Sequence, residues 1–329
     1  MKMFNAIYLT QENKTTHAEL KQLDDAALPA GDVDVRVDYS TINFKDALAI
    51  CRSGVVRNWP MIPGIDLAGT VESSRDPKWK AGDRVVVTGW GLGEQHWGGL
   101  AQKARLSSDW LLALPNGFST RDSMVIATAG FTAALSVMAL QKHGLKPGDG
   151  EILVTGSAGG VGSIAVALLA GLGYEVVAST GRVQESDYLK FLGAARIIDR
   201  AELSAPGGKA LQSERWAGVV DTVGSHTLAN ACAQAKWNGA VATCGLAQGA
   251  DFPSTVLPFI LRAISLYGIN SIFVPNDIRA KAWDLIAKHI DRAKLEQMTC
   301  EIGLSQVIEY APSVLEGKVR GRTVVDVNR

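Results

Sequence analysis

The stretch VTGSAGGVGS, residues 154–163, sets glycines among small residues between one apolar run, EILV, and another, IAVALLAGLG. In a strand–turn–helix unit the first helical turn leaves backbone N–H groups unpaired and carries partial positive charge. A phosphate is stabilised there if no side chain blocks its approach. Aligned on the dinucleotide fingerprint G-x-G-x-x-G, the turn reads Ser157-Ala158-Gly159-Gly160-Val161-Gly162, with serine in the first glycine position. A turn needed only for packing would read much the same. The nucleotide reading gains from context, since a strand pattern precedes the turn, a helix pattern follows, and a second strand, EVVAS, comes at βαβ spacing.

The end of that second strand is more informative. A site for NAD carries Asp or Glu about 20 residues beyond the glycines, to accept hydrogen bonds from the adenosine ribose. Here the segment reads Ser179-Thr180-Gly181-Arg182. It offers no carboxylate; its hydroxyls can bond a phosphate oxygen, and Arg182 can make charge-assisted contacts to a 2'-phosphate. NADPH is therefore favoured over NADH. Arg200, at the end of IIDR, is either a second cation for the adenine end or a solvated loop charge.

Other familiar chemistries have less behind them. His17, His96, His143, His226 and His289 are scattered, with no HExxH pattern and no triad. Cys51, Cys232, Cys244 and Cys300 form no CxxC pair, which argues against a structural zinc site and a disulfide framework.

Several elements must position the glycine turn. The chain has 329 residues, 47% of them hydrophobic, enough for a large core and about two domains. Its 33 basic and 33 acidic side chains cancel, so no global field recruits nucleic acid or an anionic membrane. The start, MKMFNAIYLTQENK, lacks a secretory pattern, so a cytoplasmic protein is expected. Up to about residue 125 short β-segments (DVRVDY, GTVE, DRVVVTGW, WLLALP) are broken by turns. SMVIATAGFTAALSVMAL then begins a helix–strand alternation whose strands are nearly continuously apolar, the mark of a parallel sheet covered on both faces. A helix over 277–292 and a last strand, RTVVDV, follow. That strand has the texture of the first half. The expected fold class is therefore α/β, with a β-rich domain at 1–122, a dinucleotide-binding domain at 123–262, and a segment at 263–329 that completes its edge and returns to the first domain.

FKDAL, PMIPGIDLAGTV, AGDRV, GGLAQ, TAGFTA, the glycine turn and GRTVV occur in this order along essentially the whole chain. The set resembles the medium-chain dehydrogenase/reductases. NFKDALAI, RNWPMIPGIDLAGTV, TGWGLGEQHWGGLAQ and PFILR are similar to the NADPH-dependent acrylyl-CoA reductase group of the quinone-reductase-like branch. The resemblance implies a GroES-like catalytic domain, a Rossmann domain and a homodimer formed by Rossmann-sheet edges. It also explains why the glycine turn comes so late: the catalytic domain is built first.

Zinc-dependent relatives bind their catalytic metal through Cys, His and Cys at positions that match Asn43, Ile65 and Ala129. Neither Ile nor Ala can coordinate, so no metal is expected. Without a Lewis acid, an activated alkene is a better hydride acceptor than an isolated ketone, because its charge spreads onto the conjugated carbonyl, where hydrogen-bond donors stabilise it. The resemblance points to Asn43 and Lys45 as catalytic candidates, with Asp46 fixing Lys45 or the loop and Phe44 packing on the nicotinamide. It adds Thr132 (or a helix cap), Leu246, Ile260, Ser271 and Arg322 as cofactor contacts. Trp90, Trp97 and His96 are candidate cleft residues or ordinary packing. The expected activity is NADPH-dependent reduction of acrylyl-CoA to propionyl-CoA. A quinone or enone reductase and a noncatalytic NADPH-binding module are the alternatives.

Overall fold

The computed structural model describes residues 3–52 and 54–329. The chain opens with a hairpin, β1 (Met3–Glu12) and β2 (Thr15–Asp24), followed by β3 (Val33–Thr41), α1 (Phe44–Cys51), β4 (Asp66–Ser74), β5 (Arg84–Thr88), β6 (Lys103–Leu106) and β7 (Leu112–Ala113). Strand β3 shows why this half is β-rich: Val33, Val35 and Val37 alternate with Asp34 and Arg36, and the three valines are fully buried. Each contributes roughly 1.5–3 kcal/mol of apolar burial on one face of the sheet.

Next come α2 (Thr120–His143), β8 (Ile152–Val154), α3 (Gly160–Gly171), β9 (Val176–Thr180), β10 (Arg196–Asp199), β11 (Trp216–Asp221), β12 (Ala235–Thr243) and β13 (Ser265–Gly268). The chain ends with β14 (Thr299–Gly303) and β15 (Arg322–Asp326). Because β15 pairs antiparallel with β3, Val324 against Thr41, the last strand joins the first sheet, whose order is β14-β15-β3-β4-β5-β7 with β6 also on β3.

The second sheet is parallel throughout, in the order β10-β9-β8-β11-β12-β13. Counted from β8 this is 3-2-1-4-5-6, the dinucleotide-binding order, with its switch point between β8 and β11. Helix α3 is apolar nearly all round because residues Gly162 to Leu169 are all buried. Gly171 is required near its end, since a Cβ there would come within 2.0 Å of the His289 carbonyl oxygen.

Two compact units result: residues 1–128, 272–280 and 298–329 form one, and residues 129–271 and 281–297 the other. Two expected helices differ in detail. The helix expected over 277–292 stops at His289, and a second, Arg292–Gln297, starts where the Asp291 carboxylate accepts the Ala293 N–H at 2.9 Å. Helix α2 is broken at Ala127, whose φ of 42° and ψ of −149° no helix accommodates.

Candidate active site

The glycine turn stands at the C-terminal end of β8. The Ser157 hydroxyl donates to the Val154 carbonyl at 2.6 Å, so serine takes the first glycine position to close the turn onto its own strand. Gly159 precedes α3 as its N-cap, and the first i→i−4 bond inside the helix is donated by Ser163. The N–H groups of Gly160, Val161 and Gly162 lie ahead of it, at the positive end of the helix. A Cβ on Gly162 would come within 2.3 Å of the Gly156 carbonyl oxygen, so only glycine closes this cradle.

The end of β9 adjoins the turn: the Ser157 N–H donates to the Ser179 carbonyl at 3.1 Å. Ser179 and Thr180 are both buried, and the Thr180 hydroxyl accepts the Arg182 N–H at 3.0 Å, so the Thr180 side chain shapes the bend. Arg182 reaches across to donate from Nη2 to the Ala158 carbonyl at 2.9 Å, which sets its guanidinium beside the glycine turn. Arg200 also comes close: its Nε would be 2.4 Å from a Cβ on Gly181. Two arginines thus border the bend after β9, and the Arg182 guanidinium lies beside the glycine turn that opens α3. These residues fit a phosphorylated dinucleotide.

Asp221, which sequence reasoning missed, ties the strand ends together. Fully buried at the end of β11, it accepts from the Thr155 hydroxyl (2.8 Å), the Gly224 N–H (3.0 Å) and the Thr243 hydroxyl (3.1 Å). Burial raises its pKa above the usual carboxylate value. A lone acid ending the apolar run AGVVD was its only signal in the sequence. Beyond Thr243 a shallow hollow of about 420 Å³ is lined by residues 243–246 and 268–270, including Leu246. Ser271 follows that lining, whereas Ile260 is 67% exposed on the helix Leu257–Arg262, outside it. Thr132 is buried within the second half of α2, four residues past Thr128, and so is no cap.

In the other unit, α1 begins with the loop expected to be catalytic. Asp46 is 1% exposed, and its carboxylate fixes the loop rather than Lys45. Oδ1 accepts the N–H groups of Gly64 (3.1 Å) and Ile65 (2.9 Å), while Oδ2 accepts the N–H (2.8 Å) and side-chain amide (3.1 Å) of Asn43. Burial, with Asp66 nearby, pushes its pKa up to about 6, against the lowering effect of these bonds.

The Asn43 amide also donates to Asp66 Oδ2 at 2.7 Å, and its oxygen accepts from Arg322 Nη1 at 3.1 Å. Arg322, expected to reach the cofactor, is instead 3% exposed and directed inward; Nε donates to the Val125 carbonyl and Nη2 to the Thr41 hydroxyl. Asp66 Oδ1 accepts the N–H and hydroxyl of Thr128. Burial raises the Asp66 pKa and lowers that of Arg322, each opposed by the other's charge. This buried network lies around Asn43, one of the positions where zinc-dependent relatives carry a ligand. Ile65 and Ala129 have no donor atom and the Asn43 amide is engaged at both ends, so the residues do not fit a catalytic zinc.

Lys45 donates to Glu94, which Arg57 approaches at 3.9 Å. Phe44 is 45% exposed. His96 packs on Trp110, and its Nδ1 lies 3.0 Å from the Trp97 carbonyl; Trp97 packs on Tyr8 and donates to the Pro60 carbonyl. Both are therefore engaged in packing inside the β-rich unit.

A family model described as alcohol dehydrogenase GroES-like domain matches residues 29–116, and one described as zinc-binding dehydrogenase matches residues 160–288. The chain is 51% identical to the acrylyl-CoA reductase AcuI of Ruegeria pomeroyi, covering 99% of this chain and 100% of that one. Among solved structures, the yhdH oxidoreductase of Salmonella enterica in complex with NADP is similar with a TM-score of 0.96 at 49% identity, covering 98% of this chain and 99% of that one. Bacillus subtilis yhfP with NAD bound also reaches 0.96, at 41% identity, over 99% and 100% of the two chains. With the parallel sheet, the β-rich unit and this end-to-end likeness together, the chain belongs to the medium-chain dehydrogenase/reductases, in the quinone-reductase-like branch that holds the acrylyl-CoA reductases.

Proposed function

We propose that the protein reduces the carbon–carbon double bond of acrylyl-CoA to give propionyl-CoA, with NADPH as the reductant. The observation that carries the reaction class is the chemistry at the three positions where zinc-dependent relatives bind metal: Ile65 and Ala129 have no donor atom, and the Asn43 amide is bound by two carboxylates and a guanidinium. These side chains offer a metal no ligands with which to polarise an isolated ketone, which favours an alkene that carries its own electron-withdrawing carbonyl. The acyl-CoA follows from the likeness to the Ruegeria protein.

NADPH, when bound, supplies the hydride. The backbone of Gly159 to Gly162 would hold its pyrophosphate, and Arg182 and Arg200 its 2'-phosphate. In the second unit Leu246 and Ser271, which follow strands of the parallel sheet, and Thr132 on α2 would contact the nicotinamide, and Phe44 offers an exposed ring for the same moiety. Lys45, oriented by Glu94, presents its remaining ammonium protons to the thioester oxygen, where negative charge develops. Asn43 and Asp46 act as positioning residues: they fix the start of α1, and with it the direction of Lys45. Arg322 neutralises the buried carboxylates beneath them. Solvent supplies the proton that completes the product.

The protein is proposed to be cytoplasmic and to work as a homodimer. Strand β13 ends the parallel sheet, and the preceding helix exposes Ile260 and Leu261, an apolar face suited to a second copy. An anaerobic assay with NADPH tests the activity against acrylyl-CoA, free acrylate and a benzoquinone. Strong preference for acrylyl-CoA is expected, and equal rates on the quinone would overturn the substrate assignment.

A further inference from the structure

We infer that Trp90 and Phe273 form the seat for the acyl-pantetheine arm of the substrate, an inference that rests on the reaction proposed above. Trp90 has a φ of 56°, in the left-handed region where a bulky side chain is strained, and it stands in a turn whose glycines 89, 91 and 93 also have positive φ. Its indole Nε1 is buried with no hydrogen-bond partner among the described residues. Strain and an unmet donor both cost stability, and such costs collect where a chain must hold a ligand.

The position is also rigidly held. The Trp90 N–H donates to the Ile272 carbonyl at 3.1 Å, and the Arg279 guanidinium lies 4.7 Å from the indole centroid. Arg279, itself 1% exposed, donates to the carbonyl and hydroxyl of Thr88 and to the carbonyls of Ile272 and Val274. One guanidinium therefore bolts the turn at 88–90 to the segment at 272–274. Held between two clamped carbonyls, Phe273 is nevertheless 61% exposed, and its ring meets that of Trp90 at 71° with the centroids 6.5 Å apart. A large apolar side chain kept in water on so stiff a segment is preorganised for a partner.

The occupant follows from what else the turn carries. Glu94, whose N–H returns to the Gly91 carbonyl, holds Lys45, the proposed donor to the thioester oxygen. The aromatic corner and the acid that holds the carbonyl donor thus share one turn, a pairing that suits a carbonyl at the end of a slender, mostly uncharged arm. The guanidinium under the corner is buried and engaged, so phosphates gain nothing there.

The test is Phe273→Ala, with Phe273→Leu as the conservative variant, read by calorimetric titration of the NADP-loaded protein with propionyl-CoA and with S-propionyl-pantetheine. Because Phe273 is exposed, folding should be intact, and unchanged NADPH affinity checks this. Phe273→Ala should weaken both ligands about tenfold, the loss expected from uncovering one aromatic face, and Phe273→Leu should restore most of it. With acrylyl-CoA the loss should fall in KM, with kcat within about twofold. Unchanged affinity for propionyl-CoA would overturn the inference, as would a loss confined to propionyl-CoA, which would put the nucleotide end on the rings. A wild-type protein inert toward acrylyl-CoA would defeat the proposed reaction, while the titrations would still decide the seat.

Discussion

Asp66 and Arg322 receive the two loose ends of one broken helix. Where α2 fails at Ala127, the Arg322 guanidinium takes the Val125 carbonyl on one side of the break and the Asp66 carboxylate takes the Thr128 N–H on the other. The cation thus meets a helix C-terminus and the anion an N-terminus, the arrangement that the two half-dipoles favour. The same two side chains grip Asn43 from opposite ends of its amide. Asp66→Asn should leave the buried Arg322 with Asp46 alone to compensate its charge, lowering stability by on the order of 3 kcal/mol. Urea denaturation of the variant measures this directly, and a midpoint equal to that of the wild type would show that the buried charges are not coupled.

Asp46 gives a pH signature. Its folded pKa of about 6 lies above the ordinary 3.8, so folding favours its protonated form. The stability it contributes is fully present below pH 3.8 and is lost as pH rises through about 6, a change of about 3 kcal/mol for an isolated group. Asp46→Asn should flatten that part of the profile, since an amide does not titrate. Denaturation free energies measured between pH 4 and 8 for both proteins check this; parallel curves would mean that Asp46 titrates normally.

Arg182 should decide the cofactor. Arg182→Ala is expected to weaken NADPH binding by about 1.5–3 kcal/mol, the value of a charged hydrogen bond, and to affect NADH far less. Its bond to the Ala158 carbonyl also braces the turn, so the ratio of the two affinities is the quantity to follow by calorimetry. An unchanged ratio would remove Arg182 from phosphate recognition.

The exposed helix beside β13 predicts assembly. Ile260→Asp places a charge on the apolar face and should shift a dimer toward monomer in sedimentation velocity, with folding intact because the position is 67% exposed. A wild-type protein that sediments as a monomer would end the proposal.

Much of this architecture was legible because its signals are local. The glycine turn, the apolar strands around it and the Ser179–Arg182 bend each declare themselves within a few residues. Networks built across the chain left no such trace. Asn43 meets Arg322 across 279 positions, Lys45 meets Glu94 across 49, and Asp46 meets Ile65 across 19. Nothing in NFKDAL tells that Asp46 turns inward to the 64–65 backbone and leaves Lys45 to a different acid. The break in α2 was equally hidden, since TAGFTA continues a helical apolar pattern and it is the tertiary partners Asp66 and Arg322 that favour the interruption.

The packing of Arg200 against Gly181 carries an evolutionary consequence. A side chain at 181 would meet the end of that exposed, flexible side chain, so a carboxylate introduced there for an unphosphorylated ribose would also make the Arg200 guanidinium swing aside. One substitution would thus both supply an acid and shift a neighbouring cation, so charge at positions nineteen residues apart changes together.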